Sequence, residues 1–184
     1  MADRSARACR DQLHHAAVLP VEWTPRADPE HAALIQQRMR RNMAALAVDA
    51  AGDERRDRPG EDGVVNADLQ RIDSKLNAIM ELFALVLERN LIVPARVPLR
   101  FNAHGIEWQT AEPPAAGQPI VVRVHLDACP ALPLELAAIA AEPPEEGWAA
   151  AHFEAVRAPL AETIAKMVFR EHRRQVADSI GGTS

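Results

Sequence analysis

The chain has no tyrosine, only four phenylalanines and three tryptophans, and just two cysteines among 184 residues. With so little aromatic volume, a core must be filled mostly by Leu, Ile and Val, and abundant Ala favours closely packed helices. Cys9 and Cys129 are far apart and neither belongs to a C-x-x-C pair. A disulfide framework and a zinc site therefore both lack their signature, and a reducing cytosol is the expected setting. No apolar run approaches the roughly 18 residues that span a bilayer, and the basic N-terminal stretch lacks the apolar segment of a secretory signal. Neither membrane insertion nor export is expected; the cytoplasm is. An excess of positive charge is missing too: the formal net charge is −5. That balance argues against a general nucleic-acid binder, because neutralising phosphates takes a basic surface.

Catalytic signatures are absent as well. The chain contains no G-x-S-x-G, H-E-x-x-H, Walker loop or G-x-G-x-x-G, so hydrolase, zincin, P-loop and dinucleotide-binding readings have no local anchor. Neither cysteine sits in an evident electropositive pocket, and no nucleophile is visibly paired with a base. The seven histidines are dispersed. His14 and His15, adjacent on a strand, point to opposite faces, and His125 and His152 alternate with apolar residues, where an outward or hydrogen-bonded imidazole is the ordinary state. The expectation is a non-catalytic protein with no catalytic residue, no metal ligand and no cofactor.

What is present organises the chain as one domain with an insertion. Residues 1–12, with Arg4, Arg7 and Arg10 between Asp3 and Asp11, read as a flexible arm. Ala16 to Trp23 is apolar and contains the β-branched Val18 and Val21, with Pro20 inside it, which predicts an edge or bulged strand. A helix is predicted near Pro29 to Ala50: Asp28 can cap it, Pro29 suits its first position and Glu30 favours the positive end of its dipole. Its stripe, Ala32, Ile35, Met39 and Leu46, is weak, because Asn42 and Asp49 fall on the same seam. Gly52 to Gly63 is dense in charge and broken by Pro59, Gly60 and Gly63, so an exposed connection is expected there.

From about Val64 to Arg89 the pattern sharpens. Leu69, Ile72, Leu76, Ile79, Phe83 and Val86 recur at spacings of three, four, three, four and three. This is an a/d seam, with Arg71, Asp73, Lys75, Asn77 and Glu81 off it. A rod of that length spans roughly 40 Å. Packing against the first helix would hide the stripe within one chain. Leu82, Leu85 and Leu87 add apolar surface beside the seam, more than the weaker helix covers, and this favours self-association into a dimer or tetramer. Six such side chains would contribute about 1.5 to 3 kcal/mol each on burial, before the cost of lost freedom.

After Asn90 the period becomes two. Val97, Leu99 and Phe101, then Ile106 and Trp108, then Ile120, Val122, Val124 and Leu126 alternate with more polar neighbours, and Leu132 to Ala140 and Trp148 to Arg157 add two further strands. Short strands at regular spacing predict a small barrel or sandwich. Pro159 opens a last helix running to about Asp178, with Leu160, Ile164, Met167 and Val168 inward and Gly181 and Gly182 beyond its end. On it Lys166, Arg170, Arg173 and Arg174 form a basic ridge. That ridge is a candidate protein-partner site, set against simple solvation or pairing with Glu162 and Glu171.

The order of a strand, a helical insertion, the segment Leu99-Arg100-Phe101-Asn102-Ala103-His104-Gly105-Ile106-Glu107-Trp108, further strands, and a helix containing Phe169-Arg170-Glu171-His172-Arg173-Arg174-Gln175 resembles the atypical, tetramer-forming branch of the PilZ family. The resemblance covers nearly the whole chain. It implies an α+β fold: a small six-stranded β-barrel with a C-terminal helix, formed by residues 13–27 and 92–180, and an inserted, heptad-patterned helical pair for oligomerisation at residues 28–91. Family members bind the bacterial second messenger cyclic di-GMP through an Arg-x-x-x-Arg segment and an Asp/Asn-x-Ser-x-x-Gly turn. Guanidinium planes stack on guanine and fork onto phosphate, while a glycine turn allows close approach.

Here the turn aligned on Gly105 has Arg100 in the Asp/Asn position and Asn102 in the Ser position. Arg4, Arg7 and Arg10 lie three apart rather than four. Arg96 and Arg100 have the four-residue spacing but sit on the strand that leads into the turn. What the resemblance implies is therefore an oligomeric interaction or regulatory module of bacterial cyclic di-GMP signalling, with nucleotide binding weak or lost. The alternative is a genuine cyclic di-GMP receptor, with Arg96, Arg100, Asn102 and Gly105 as its contacts.

Overall fold

The computed structural model describes residues 13–26, 31–56, 93–128, 130–154 and 156–181. The elements are β1 (His15–Pro25), α1 (Ala32–Arg56), β2 (Arg96–Phe101), β3 (Gly105–Gln109), β4 (Pro119–Val124), β5 (Leu134–Ala141), β6 (Trp148–Phe153) and α2 (Ala158–Gly181). All strand pairs are antiparallel, and the six strands close into a barrel in the order β1-β2-β3-β6-β5-β4. Closure removes the exposed edges that an open sheet would have to protect.

β1 is what closes it. Its first half, from His15 to Pro20, pairs with β2, and its second half, from Val21 to Pro25, pairs with β4. Of the edge or bulged strand expected from Pro20, the edge is excluded, since β1 has a neighbour on both sides. The proline stands where pairing passes from one neighbour to the other, a place that tolerates the missing N–H, and its carbonyl accepts from the His125 N–H at 3.0 Å.

The alternation read in the sequence is that of the barrel wall. Leu99, Phe101, Ile106, Trp108, Ile120, Val122, Val124, Leu134 and Leu136 fill the interior and are almost wholly buried. β4 departs from a half-buried strand, because Val121 on its other face is buried as well, as is His125 just past its end. β4 lies between β1 and β5, and these are the strands that α2 and α1 pack against. The helices also touch each other, and Ala45 and Leu46 of α1 join Leu160, Ile164, Met167 and Val168 of α2 in one continuous apolar cluster with the barrel.

Some boundaries differ from expectation. α1 runs six residues past its predicted end, carrying Gly52 and part of the expected connection into the helix; a single glycine costs a helix only about 1 kcal/mol. β6 ends at Phe153 rather than Arg157. The proposed cap at Asp28 to Glu30, the arm at residues 1–12 and the heptad stripe from Leu69 to Val86 all lie outside the described residues.

Candidate functional site

On β2 a four-residue spacing puts Arg96 and Arg100 on the same outer face, about 13 Å apart along the strand. Arg96 forks onto one carboxylate: Nη1 donates to Asp127 Oδ1 at 2.7 Å and Nη2 to Asp127 Oδ2 at 3.1 Å. Nη2 also donates to the carbonyl of Val18 at 2.6 Å. The hydrogen bond to Asp127 raises the Arg96 pKa further. Two parallel N–H bonds of this kind are the geometry an arginine would offer a phosphate, and here a carboxylate of the same chain occupies it.

Arg100 is held by the sheet register. It stands opposite Glu107, and Glu107 stands opposite Ala150, so Trp148, two residues earlier on β6, lies on the same face. The Arg100 Nη1 donates to Glu107 Oε2 at 3.3 Å, and its Cζ lies 4.6 Å from the centroid of the Trp148 ring. The Glu107 carboxylate beneath is almost completely buried. A guanidinium between a buried carboxylate and an indole face is restrained on both sides.

Asn102 and Gly105 make the turn itself. Asn102 is buried; its Oδ1 accepts from the N–H groups of His104 at 2.8 Å and Gly105 at 3.1 Å, and its own N–H donates to the Gly105 carbonyl at 3.0 Å. This is side-chain closure of a turn of the kind Asn provides well. A Cβ at Gly105 would lie 2.7 Å from the carbonyl oxygen of Ala151. Glycine is needed here for the close approach of β6.

The other polar centre docks α1. Glu135 pairs with Arg123 of β4, but β6 pairs with β5 only from Ala138 onward, which leaves the backbone of Glu135 uncovered on that side. The Asn42 side chain fills the gap: its Nδ2 donates to the Glu135 carbonyl and its Oδ1 accepts from the Glu135 N–H, both at 2.7 Å. Around the Glu135 carboxylate stand Arg123 at 3.2 Å, Arg41 at 3.5 Å and Arg38 at 3.9 Å, and Arg123 reaches Glu22 at 3.4 Å. Asp49, the other polar residue of the weak helical seam, binds Arg170 of α2 at 2.7 Å. The residues that spoil the heptad pattern of α1 are thus those that fasten it to the barrel and to α2.

The basic ridge of α2 is divided in the same way. Arg170 turns to Asp49, and Arg174 Nη1 meets Glu171 Oε1 at 2.9 Å, while Lys166 and Arg173 remain exposed. Of the dispersed histidines, His125 has its Nδ1 2.7 Å from the Pro130 carbonyl, which makes that nitrogen the protonated one. Burial, and secondarily the charge of His14, push the His15 pKa down to about 4, and burial lowers that of His152. Among the described residues no group of three or more His, Cys, Asp or Glu side chains is placed to hold a metal ion, and no helix is long and apolar enough to cross a membrane. Asp127, Glu107, Trp148 and Glu135 carry the polar geometry, yet none stood out in the sequence. Each meets its partner through strand pairing or a loop, and only the alternation of Glu107 with Ile106 and Trp108 hinted at its face.

Residues 41–180 match the model of the family described as "Atypical PilZ domain, cyclic di-GMP receptor". No curated protein matches the chain. Among solved structures, a protein from Xanthomonas campestris, described as a new tetrameric PilZ domain self-assembled via an unusual helical bundle, superposes with a TM-score of 0.73 at 22% identity, over 95% of this chain and 99% of that one. At that identity the likeness is one of fold.

Proposed function

The chain belongs to the atypical PilZ family, and from that premise we propose that it is a non-catalytic, oligomeric interaction and regulatory module of bacterial cyclic di-GMP signalling, acting in the cytoplasm, in which nucleotide binding is weak or lost. The observation that supports weak binding is the engagement of every candidate side chain. Arg96 already forks onto Asp127, Arg100 is tied to Glu107 and Trp148, and the Asn102 carbonyl is consumed in closing its own turn. A nucleotide phosphate that takes the fork of Arg96 has to displace the Asp127 carboxylate, which offsets part of what the new hydrogen bonds contribute.

Assembly is assigned to the insertion, residues 28–91, whose first helix α1 is fastened to the barrel and α2, with Leu69, Ile72, Leu76, Ile79, Phe83 and Val86 at the interface between copies and residues 13–27 and 92–180 as the barrel unit. The heptad spacing supports this, as does the tetrameric description of the Xanthomonas campestris protein. Replacing both Leu76 and Ile79 with Glu is expected to lower the mass measured by light scattering to that of a monomer.

A genuine receptor is the second reading, favoured by the family description and by the stacked Arg100 and Trp148 on the barrel wall. Calorimetric titration with cyclic di-GMP separates the two. The expected result is no heat at high micromolar nucleotide. Micromolar or tighter binding that disappears in Arg96→Ala and Arg100→Ala replaces the first reading with the second.

A further inference from the structure

The outward side of α2 carries a second stripe. Ala165, Phe169, His172 and Val176 recur at spacings of four, three and four, and all four are exposed. Leu160, Ile164, Met167 and Val168 point the other way, into the core. Phe169, at 55%, is the most exposed large apolar side chain among the described residues, and Val176 is at 44%. Heptad spacing on the solvent side of a helix is an arrangement that receives another helix.

Charge defines the occupant. Along one flank of the stripe stand Lys166 and Arg173, seven residues apart and both exposed, where interhelical ion pairs set partner choice. Neither makes an ion pair among the described residues, whereas Arg170 and Arg174 are drawn away to Asp49 and Glu171. An antiparallel second copy of the same strip would set Lys166 against Arg173, cation against cation. Two cations are also fewer than the roughly four to eight that hold a polybasic segment on an anionic bilayer.

We propose that the outward face of α2 docks an amphipathic helix of a partner protein, one whose apolar stripe enters the Phe169–Val176 strip and whose flanking carboxylates meet Lys166 and Arg173. This rests on the reading of the protein as an interaction module and names the partner's chemistry. Phe169 is the anchor, since an aromatic side chain supplies the most contact area for its conformational cost. Lys166 and Arg173 set the sign that the partner must carry.

The test uses the full chain and two stapled helical peptides with leucine at heptad positions, one with glutamates and one with lysines on its flank, followed by fluorescence anisotropy. The glutamate-flanked peptide is expected to bind at least tenfold more tightly than the lysine-flanked one. Phe169→Ser should weaken it tenfold or more, and Lys166→Glu with Arg173→Glu should reverse the preference. Because these side chains are exposed, the variants should keep the parent's thermal midpoint by circular dichroism. Equal binding of both peptides, indifference to Phe169→Ser, co-sedimentation with phosphatidylserine vesicles without peptide binding, or loss of oligomer mass in Phe169→Ser would each overturn the proposal. Failure here with an intact oligomer and a silent cyclic di-GMP titration leaves the function proposed above standing.

Discussion

Replacing Asn42 by leucine separates two accounts of α1. On heptad logic alone the change repairs a seam that already contains Ile35, Met39 and Leu46, and it should stabilise the protein. The structure predicts the opposite. Asn42 is 1% exposed, and its amide completes both backbone groups of Glu135 at 2.7 Å. Leucine leaves one N–H and one C=O without partners, each at a cost of about 1–3 kcal/mol. Water reaching the end of the sheet recovers part of that, so the net loss should be about 2–4 kcal/mol. At about 1.4 kcal/mol per factor of ten, the folded-to-unfolded ratio falls by roughly thirty- to a thousandfold. Urea unfolding followed by circular dichroism measures the loss, and amide hydrogen exchange localises it, since the Glu135 N–H should become one of the faster-exchanging amides of β5. An Asn42→Leu protein within about 0.5 kcal/mol of the parent, with Glu135 still protected, would refute the reasoning.

Two further outcomes follow from the barrel. Gly105→Ala should destabilise the pairing of β3 with β6 by about 1–3 kcal/mol, because the new methyl meets backbone rather than a flexible side chain, and a lowered thermal midpoint would show it. His15 packs edge-on against Phe101 at 5.5 Å between ring centroids, and its pKa is lowered from 6.5 to about 4. The unfolded chain therefore takes up a proton that the folded chain refuses. The His15 contribution is fully present above about pH 6.5 and is lost as the pH falls toward 4, by at most about 3 kcal/mol. His15→Leu should flatten that part of a stability-against-pH curve; a curve unchanged by the substitution would show that the ring is not kept neutral by the fold.

Much of the barrel was legible because a strand wall has a simple period. Interior residues such as Leu99, Phe101, Ile106, Trp108, Ile120 and Val122 alternate with outward ones, and a buried face demands that alternation whatever the strand order. Pro159 and the spacing of Leu160, Ile164, Met167 and Val168 marked the last helix for a similarly local reason. The candidate site was legible only in part. The four-residue spacing of Arg96 and Arg100 placed them on one face, but nothing local brings Asp127 to the first or Trp148 to the second.

Residue order by itself settled the approximate places of the strands and the last helix, most of the side chains that fill the core, and that catalytic motifs are missing, since each follows from local periodicity and chemistry. Tertiary structure alone decided that β1 closes the wall by changing partners at Pro20, that Asn42 and Asp49 fasten a helix rather than weaken it, and that Arg96 and Arg100 are already engaged. Those outcomes depend on pairing register and on contacts between groups far apart in the chain, 93 residues for Asn42 and Glu135 and 121 for Asp49 and Arg170. A polar group's role is set by what the fold brings within hydrogen-bond reach of it.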